Sequence, residues 1–375
     1  MKQLVVIFTL WLAWMPVGAQ KMLTLEECLK LGIENNLSLE GSRNEMRKAK
    51  HLLSENRAKL WPQISAVAGF NDNFNPPVSV TDGSAYGNLY NVTKTLQYNA
   101  SAGLQLQMPL YNQTVYTAVD IARTLNELNR LSYEKAREDL MMQISKMYYL
   151  GQNTMEQLTL IQENMVRLRE LRDITLAFFD NGMAMEVDVK RVNINLENQQ
   201  VQYDNAKSML VQQLNLLKYV MDYPAEEEIT LTPVDTERMQ SASLTGLRGD
   251  LYELQLLQSQ EKLAGQQKDL IRQGYLPSLT LTGSWMYSTY TDKARHWFHS
   301  GPSNHWYPST GLGITLRVPI FDGFDKRARI RKAQIDQENA RLNYENTLKN
   351  MQTQYLNATN ELMNNQRNFK KQKDY

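Results

Sequence analysis

Val318-Pro-Ile-Phe-Asp-Gly-Phe-Asp-Lys326 marks a change of period in a chain of 375 residues. Before it, Leu312, Ile314, Leu316 and Val318 alternate with Gly311, Gly313, Thr315 and Arg317, the period of a β-strand. After it comes a long charged run with helical spacing. A similar phrase, Met108-Pro-Leu-Tyr-Asn-Gln-Thr114, stands 210 residues earlier. Proline cannot donate to a strand ladder, so Pro109 and Pro319 are expected to end strand pairing. Asp322 is placed to cap the following helix and Gly323 to take the bend.

Each phrase closes a pair of strands. Upstream of the first, Tyr98, Ala100, Ala102, Leu104, Leu106 and Met108 share one face, and Asn99, Ser101, Gly103, Gln105 and Gln107 the other. That strand is about the length needed to cross a bilayer, ~9–11 residues. A weaker alternation follows Pro62, with Ile64, Ala66, Ala68 and Phe70 on one side. Upstream of the second phrase, Leu279, Leu281, Gly283, Trp285 and Tyr287 alternate with Ser278, Thr280, Thr282, Ser284 and Ser288, just after Pro277. Polar loops over 71–95 and 291–309 join the members of each pair.

The remainder reads as helix. Residues 21–61 are helical in pattern, with Thr24 and the acids Glu26 and Glu27 at the start and a break at Asn35-Asn36. Thr114 to Phe179 carries helical spacing without a proline, a length of nearly ~100 Å if continuous. Its positions Leu140, Ile144, Met147, Gly151, Met155, Leu158, Ile161, Met165 and Leu168 recur with the 3.5-residue period of a coiled coil. Asp180-Asn181-Gly182 reads as a turn, and a second helix returns from Met185 to Val220. A connector with Pro224, Glu226 to Glu228 and Pro233 follows.

Pro277 lies 215 residues after Pro62, and Pro319 lies 210 after Pro109, so the chain is a large duplication. The expected organisation is a signal peptide at 1–19, a first repeat at 20–219, a connector at 220–243 and a second repeat at 244–375. Within them, strand pairs occupy about 62–109 and 277–319, and a long hairpin occupies about 114–219. Gly182 lies 73 residues after Pro109, and the same step from Pro319 passes Tyr375, so the second repeat is expected to be incomplete.

Composition narrows the function classes. The net charge of +1 argues against a dedicated nucleic-acid binder. Lys2, the apolar run Leu4 to Met15 and the small residues Val17-Gly18-Ala19 form a secretory signal, with a transmembrane anchor as the competing reading. Cys28, on the apolar face with Leu25 and Leu29, is the single cysteine, which excludes an internal disulfide and a cysteine-based metal site. Its expected role is a small core residue.

No run of 18 apolar residues follows, so a membrane crossing would have to use strands. Strands with one apolar and one small or polar face fit either a soluble sandwich or a membrane barrel. Aromatics near the strand ends (Trp61, Tyr98, Trp285, Tyr287, Tyr290, Trp297, Trp306, Tyr307) favour lipid, as an interfacial girdle. Four strands cannot close a barrel, and open edges are not tolerated in hydrocarbon, so the barrel is expected to be shared between chains.

The chain resembles the TolC-like outer membrane efflux proteins. The phrases that carry this are Leu23-Thr-Leu-Glu-Glu-Cys-Leu29, Arg248-Gly-Asp-Leu251, Leu276-Pro-Ser-Leu279 and Val318-Pro-Ile-Phe-Asp-Gly323, with Phe179 to Val189 similar to the family's periplasmic turn. The resemblance implies a mainly α fold with a β-barrel part: long antiparallel coiled-coil hairpins plus four transmembrane strands per chain, joined in a trimer. It implies a passive outer membrane conduit whose helices reach into the periplasm. Its partners would be two further copies, outer membrane lipid, a periplasmic adaptor and an inner-membrane pump. Adaptor contacts would fall near Asp180, Gly182, Glu186 and Asp188, although turn and N-cap chemistry explains the same residues. The strand–helix hinges would be Pro62, Pro109, Pro277, Pro319, Asp322 and Gly323.

Other signals are weaker. His296, His299 and His305 crowd one loop with Asp292, which leaves a secreted metal-dependent enzyme as an alternative. A periplasmic coiled-coil adaptor is the other. Arg248-Gly-Asp250 is read as a helix start rather than an adhesion tripeptide. The sequons at Asn91, Asn112 and Asn357 arise by chance in an asparagine-rich chain. No catalytic residue, cofactor or nucleic-acid partner is expected.

Overall fold

The computed structural model describes residues 21–82, 90–234, 251–293 and 305–373. The predicted signal peptide, His296, His299, Trp297 and the Arg248-Gly-Asp250 tripeptide lie outside the described residues. The chain forms two compact units, one from residues 1–46, 129–256 and 347–375, the other from 47–128 and 257–346. Each unit draws on residues from both halves of the chain.

The first unit contains a parallel pair of short strands, β1 (Lys21–Leu23) and β6 (Ile229–Leu231). Residues 21–23 are therefore strand and not helix. Helix α1 (Leu25–Asn35) starts with a reciprocal cap. The Glu27 N–H donates to Thr24 Oγ1 at 3.2 Å, and the Glu27 carboxylate accepts the Thr24 N–H at 2.8 Å. That backbone donor, foremost, holds the Glu27 carboxyl below the usual carboxylate range. Asn36 ends α1 and starts α2 (Leu37–Ala58). Its carboxamide oxygen accepts the Leu39 N–H at 2.9 Å, and its amide donates to the Val220 carbonyl at 2.8 Å.

Two long helices dominate, α3 (Gln113–Asp180) and α4 (Glu186–Met221). The predicted coiled-coil stripe supplies buried Leu140, Ile144, Ile161 and Met165. Ile144 packs with Leu23, Cys28, Leu39, Leu217, Met221 and Leu231. Gly32 admits it: a β-carbon there would lie 2.3 Å from Ile144 Cδ1. Tyr148 is buried in the same core and was not part of the predicted stripe. Its hydroxyl donates to the Leu23 carbonyl at 3.1 Å and lies 2.5 Å from Thr232 Oγ1. Gln152 Nε2 donates to the Thr232 carbonyl at 2.6 Å. Farther along, Ile161, Met165 and Ala206 pack α3 on α4 with Leu158, Leu196 and Tyr203.

The second unit holds the four expected strands: β2 (Gln63–Asp72), β5 (Tyr98–Tyr111), β7 (Ser278–Thr291) and β8 (Tyr307–Arg317). They form one antiparallel sheet in the order β2-β5-β7-β8. The segment expected as a polar loop after β2 contains a separate hairpin, β3 (Val78–Asp82) with β4 (Tyr90–Lys94). Helices α5 (Tyr252–Gln273) and α6 (Asp325–Lys373) lead into β7 and out of β8. Lys268 Nζ donates to Gln337 Oε1 at 2.8 Å, and Gly265 allows Gln337 close approach. No helix among the described residues is long and apolar enough to cross a membrane.

Candidate functional site

The register sorts the sheet into two chemically different faces. Ala66 of β2 is opposite Leu104, Leu104 opposite Trp285, and Trp285 opposite Thr310. The next two rows toward the helix end place Ile64, Leu106, Gly283 and Leu312 together, then Met108, Leu281 and Ile314. Ile64, Phe70, Leu104, Trp285, Leu312, Ile314 and Leu316 are all exposed. From Leu279 to Tyr287 this apolar face covers about 26 Å of strand, at roughly 3.3 Å per residue. That is close to the ~25 Å apolar band of a membrane barrel. Beyond it, positions 289 and 291 of the same face are threonines.

The opposite face aligns Gln105 with Ser65 and Ser284, Gln107 with Gln63 and Thr282, and Ser284 with Gly311. Gly103 is opposite Met286. Among the described residues, β2 and β8 each have one long edge without a strand partner. A single chain thus offers an apolar face and two open edges, neither of which is stable in water.

Aromatic side chains cluster at the loop end of the sheet. Phe70 stacks on Tyr98 with centroids 6.4 Å apart and Tyr307 stacks with His305 at 6.3 Å, while farther into the sheet Trp285 meets Tyr287 edge-on at 5.6 Å. At the helix end, Trp61, Phe321 and Phe324 are exposed. Trp285 lies within β7, three ladder positions from the Ser288–Tyr307 pair, so it is not a strand-end residue.

The four prolines are not equivalent. Pro62 and Pro277 stand immediately before β2 and β7. Pro319 lies two residues past β8. Pro109 corrects the expectation: it lies inside β5, which continues to Tyr111 across a register shift between Pro109 and Tyr111. A bulge accommodates the missing donor, so proline does not terminate the pairing there.

Both exits nevertheless use a short acidic or amide side chain three residues after the proline. Asn112 Oδ1 accepts the Thr114 N–H at 3.1 Å, next to the start of α3. Asp322 accepts the N–H groups of Phe324 at 3.1 Å and Lys326 at 3.2 Å, and the Lys326 ammonium at 3.0 Å. The Lys326 ammonium first, and these backbone donors, hold the Asp322 carboxyl below the usual aspartate range. Gly323 has φ 65° and Phe324 φ 69°, so two successive residues are left-handed. Asp322 therefore reaches the helix start from outside, because α6 begins at Asp325.

The hairpin turn in the first unit has a defined cap. The Gly182 N–H donates to the Phe179 carbonyl at 2.9 Å and the Met183 N–H to the Phe178 carbonyl at 2.8 Å, the Schellman pattern. Gly182 has the required left-handed φ of 74°. Asp180 is the last residue of α3 and Glu186 the first of α4. The Asp188 carboxylate accepts the Met185 N–H at 3.2 Å, and Glu186 pairs with Lys190 at 2.7 Å. The exposed side chains around this turn include Phe178, Met183, Met185 and Val187, which sequence reading did not single out. Cys28, by contrast, is buried, and burial pushes its thiol up to about 11.

Comparison with known proteins agrees with these features. A family model described as outer membrane efflux protein matches residues 29–221 and 252–374. The outer membrane protein TolC of Vibrio cholerae is 23% identical over 325 residues, covering 83% of this chain and 68% of that protein. The probable efflux pump outer membrane protein TtgC of Pseudomonas putida is 21% identical, covering 86% of this chain and 65% of that protein. The chain therefore spans about two thirds of the length of these relatives. Among solved structures, CusC superposes with a TM-score of 0.70 at 16% identity, over 87% of this chain and 72% of that one. VceC of Vibrio cholerae gives 0.67 at 15% identity, over 86% and 75%.

Proposed function

Because this chain belongs to the outer membrane efflux protein family, we propose that it forms an outer membrane export channel by pooling strands with two further copies. The sheet carries this reading: its apolar face is continuous across four strands, and neither edge has a strand partner among the described residues. Successive strands alternate in direction, so β8 of one copy can continue antiparallel onto β2 of the next. Three chains would close a barrel of twelve strands with no edge left in hydrocarbon. Apolar residues would face lipid, and the Gln, Ser, Thr and Gly rows would line the conduit.

In this reading the conduit itself is passive and the energy for export is supplied elsewhere. A periplasmic adaptor and an inner-membrane pump would complete the pathway, with adaptor contacts near Asp180, Gly182, Glu186 and Asp188. The division into two repeats about a connector at 220–243 accounts for the paired exits at Asn112 and Asp322. The lining chemistry favours no substrate class. Planar bilayer recording of the full chain tests the proposal: discrete conductance steps are expected. Protein that remains in the soluble periplasmic fraction and conducts no current would support the adaptor alternative instead.

A further inference from the structure

Immediately past β8 the chain presents an apolar knob and then a basic run. Ile320 is 94% exposed and Phe321 75%, with Phe324 also exposed and edge-on to Phe321 at 5.5 Å. Lys326, Arg327, Arg329, Arg331 and Lys332 follow within seven residues. Lys326 is committed to Asp322 and lies 5.1 Å from the Tyr275 ring, and Arg329 pairs with Asp325. Among the described residues no ion pair is made by Arg327, Arg331 or Lys332, and all three are exposed.

The fold does not require this charge. The twin exit, residues 112–122, has no basic residue at all, and its helix buries Thr117, Val119 and Ala122. The first turns of a helix favour acids, so five bases at the start of α6 oppose the helix dipole. Holding Phe324 in the left-handed region is also unfavourable for a residue with a β-carbon. The knob and the bases follow directly on the strand that carries Leu312, Ile314 and Leu316 on its apolar face.

We propose that Phe321 and Phe324 seat in the interface of the leaflet facing the helices, where Arg327, Arg331 and Lys332 bind anionic phospholipid headgroups. This rests on the channel reading above. Exposed aromatic anchors combined with lysine and arginine are the chemistry of such an interface. Asp322 and Asp325 answer Lys326 and Arg329, and the headgroup phosphates supply the counter-charge for the other three bases.

The test uses the full chain in detergent, titrated with phosphatidylglycerol or phosphatidylcholine, with bound lipid counted by native mass spectrometry. The expected result is a preference for phosphatidylglycerol that falls about five-fold for each charge removed in Arg327→Gln, Arg331→Gln and Lys332→Gln, and that fades at high salt. Arg327→Lys with Arg331→Lys should retain it. Insertion into phosphatidylcholine vesicles, measured in parallel, should be unaffected by any variant. Equal lipid preference in wild type and the triple variant would overturn the proposal. So would shielding of these side chains from labelling in lipid-free detergent, since a protein surface would then cover them. Failure of the wild type to insert at all would instead remove the channel reading, and this proposal with it.

Discussion

Gly103 of β5 faces Met286 of β7 so closely that a β-carbon at 103 would lie 2.2 Å from the Trp285 carbonyl oxygen. The β5–β7 ladder is the one that joins the two strand pairs into a single sheet. Its backbone cannot yield without breaking that ladder. Gly103→Val should destabilise the sheet by about 3 kcal/mol, the upper end of overpacking costs. Gly69→Ala, which would meet only Ser101 Oγ at 3.4 Å, should be tolerated. Unfolding of the two variants in detergent separates these outcomes.

Tyr148 ties α3 to the strand pair of the first unit through the Leu23 carbonyl and Thr232. Tyr148→Phe keeps the packing and removes the hydroxyl, which should cost about 1–2 kcal/mol in chemical unfolding. Loss of less than a few tenths would show that water replaces the hydroxyl.

Gly182 closes the hairpin turn in a left-handed conformation with open space around its α-carbon. Gly182→Ala should therefore cost about 1 kcal/mol through backbone strain alone, and Gly182→Asn less. Amide exchange at 182 and 183 reads this directly. Equal protection in all three proteins would contradict the assignment.

The lowered pKa of Asp322 gives the α6 junction a pH dependence. Its folded value lies below the ordinary aspartate value of 3.8. Its stabilisation is present above that ordinary value and is lost as pH falls through the folded one. Wild type should thus be more stable than Asp322→Asn at neutral pH, with the difference shrinking below about pH 4. A difference that stays constant into acid would mean that the charge of Asp322 is not involved.

The buried thiol of Cys28, pushed up to about 11, has little thiolate at neutral pH. Maleimide should label it slowly in the folded protein and rapidly after unfolding. Rapid labelling of the folded protein would place Cys28 outside the core.

Period-two alternation made the sheet legible because each strand repeats one binary choice, and the ladders carry that choice across without a face error. The 3.5-residue stripe on α3 was legible for the same reason. Tyr148 escaped because its hydroxyl marks it as polar although its ring fills the core. The β1–β6 pair escaped because three-residue strands show no period, and their partners lie about 200 residues apart in sequence. The β3–β4 hairpin was masked by flanking Asn, Pro and Gly, although Val78, Val80 and Val92 share a face. At the junctions, Asp322 and Gly323 could be read from turn chemistry. The left-handed Phe324 could not, since that geometry depends on the carboxylate that accepts its N–H.

The central claim is that one chain cannot satisfy its own sheet and three can. The number of chains per particle, measured by light scattering on the full chain extracted from outer membranes in mild detergent, tests it most directly. The account predicts three. A stable, folded particle containing one chain would contradict it, because β2 and β8 would then have to remain open in an apolar environment.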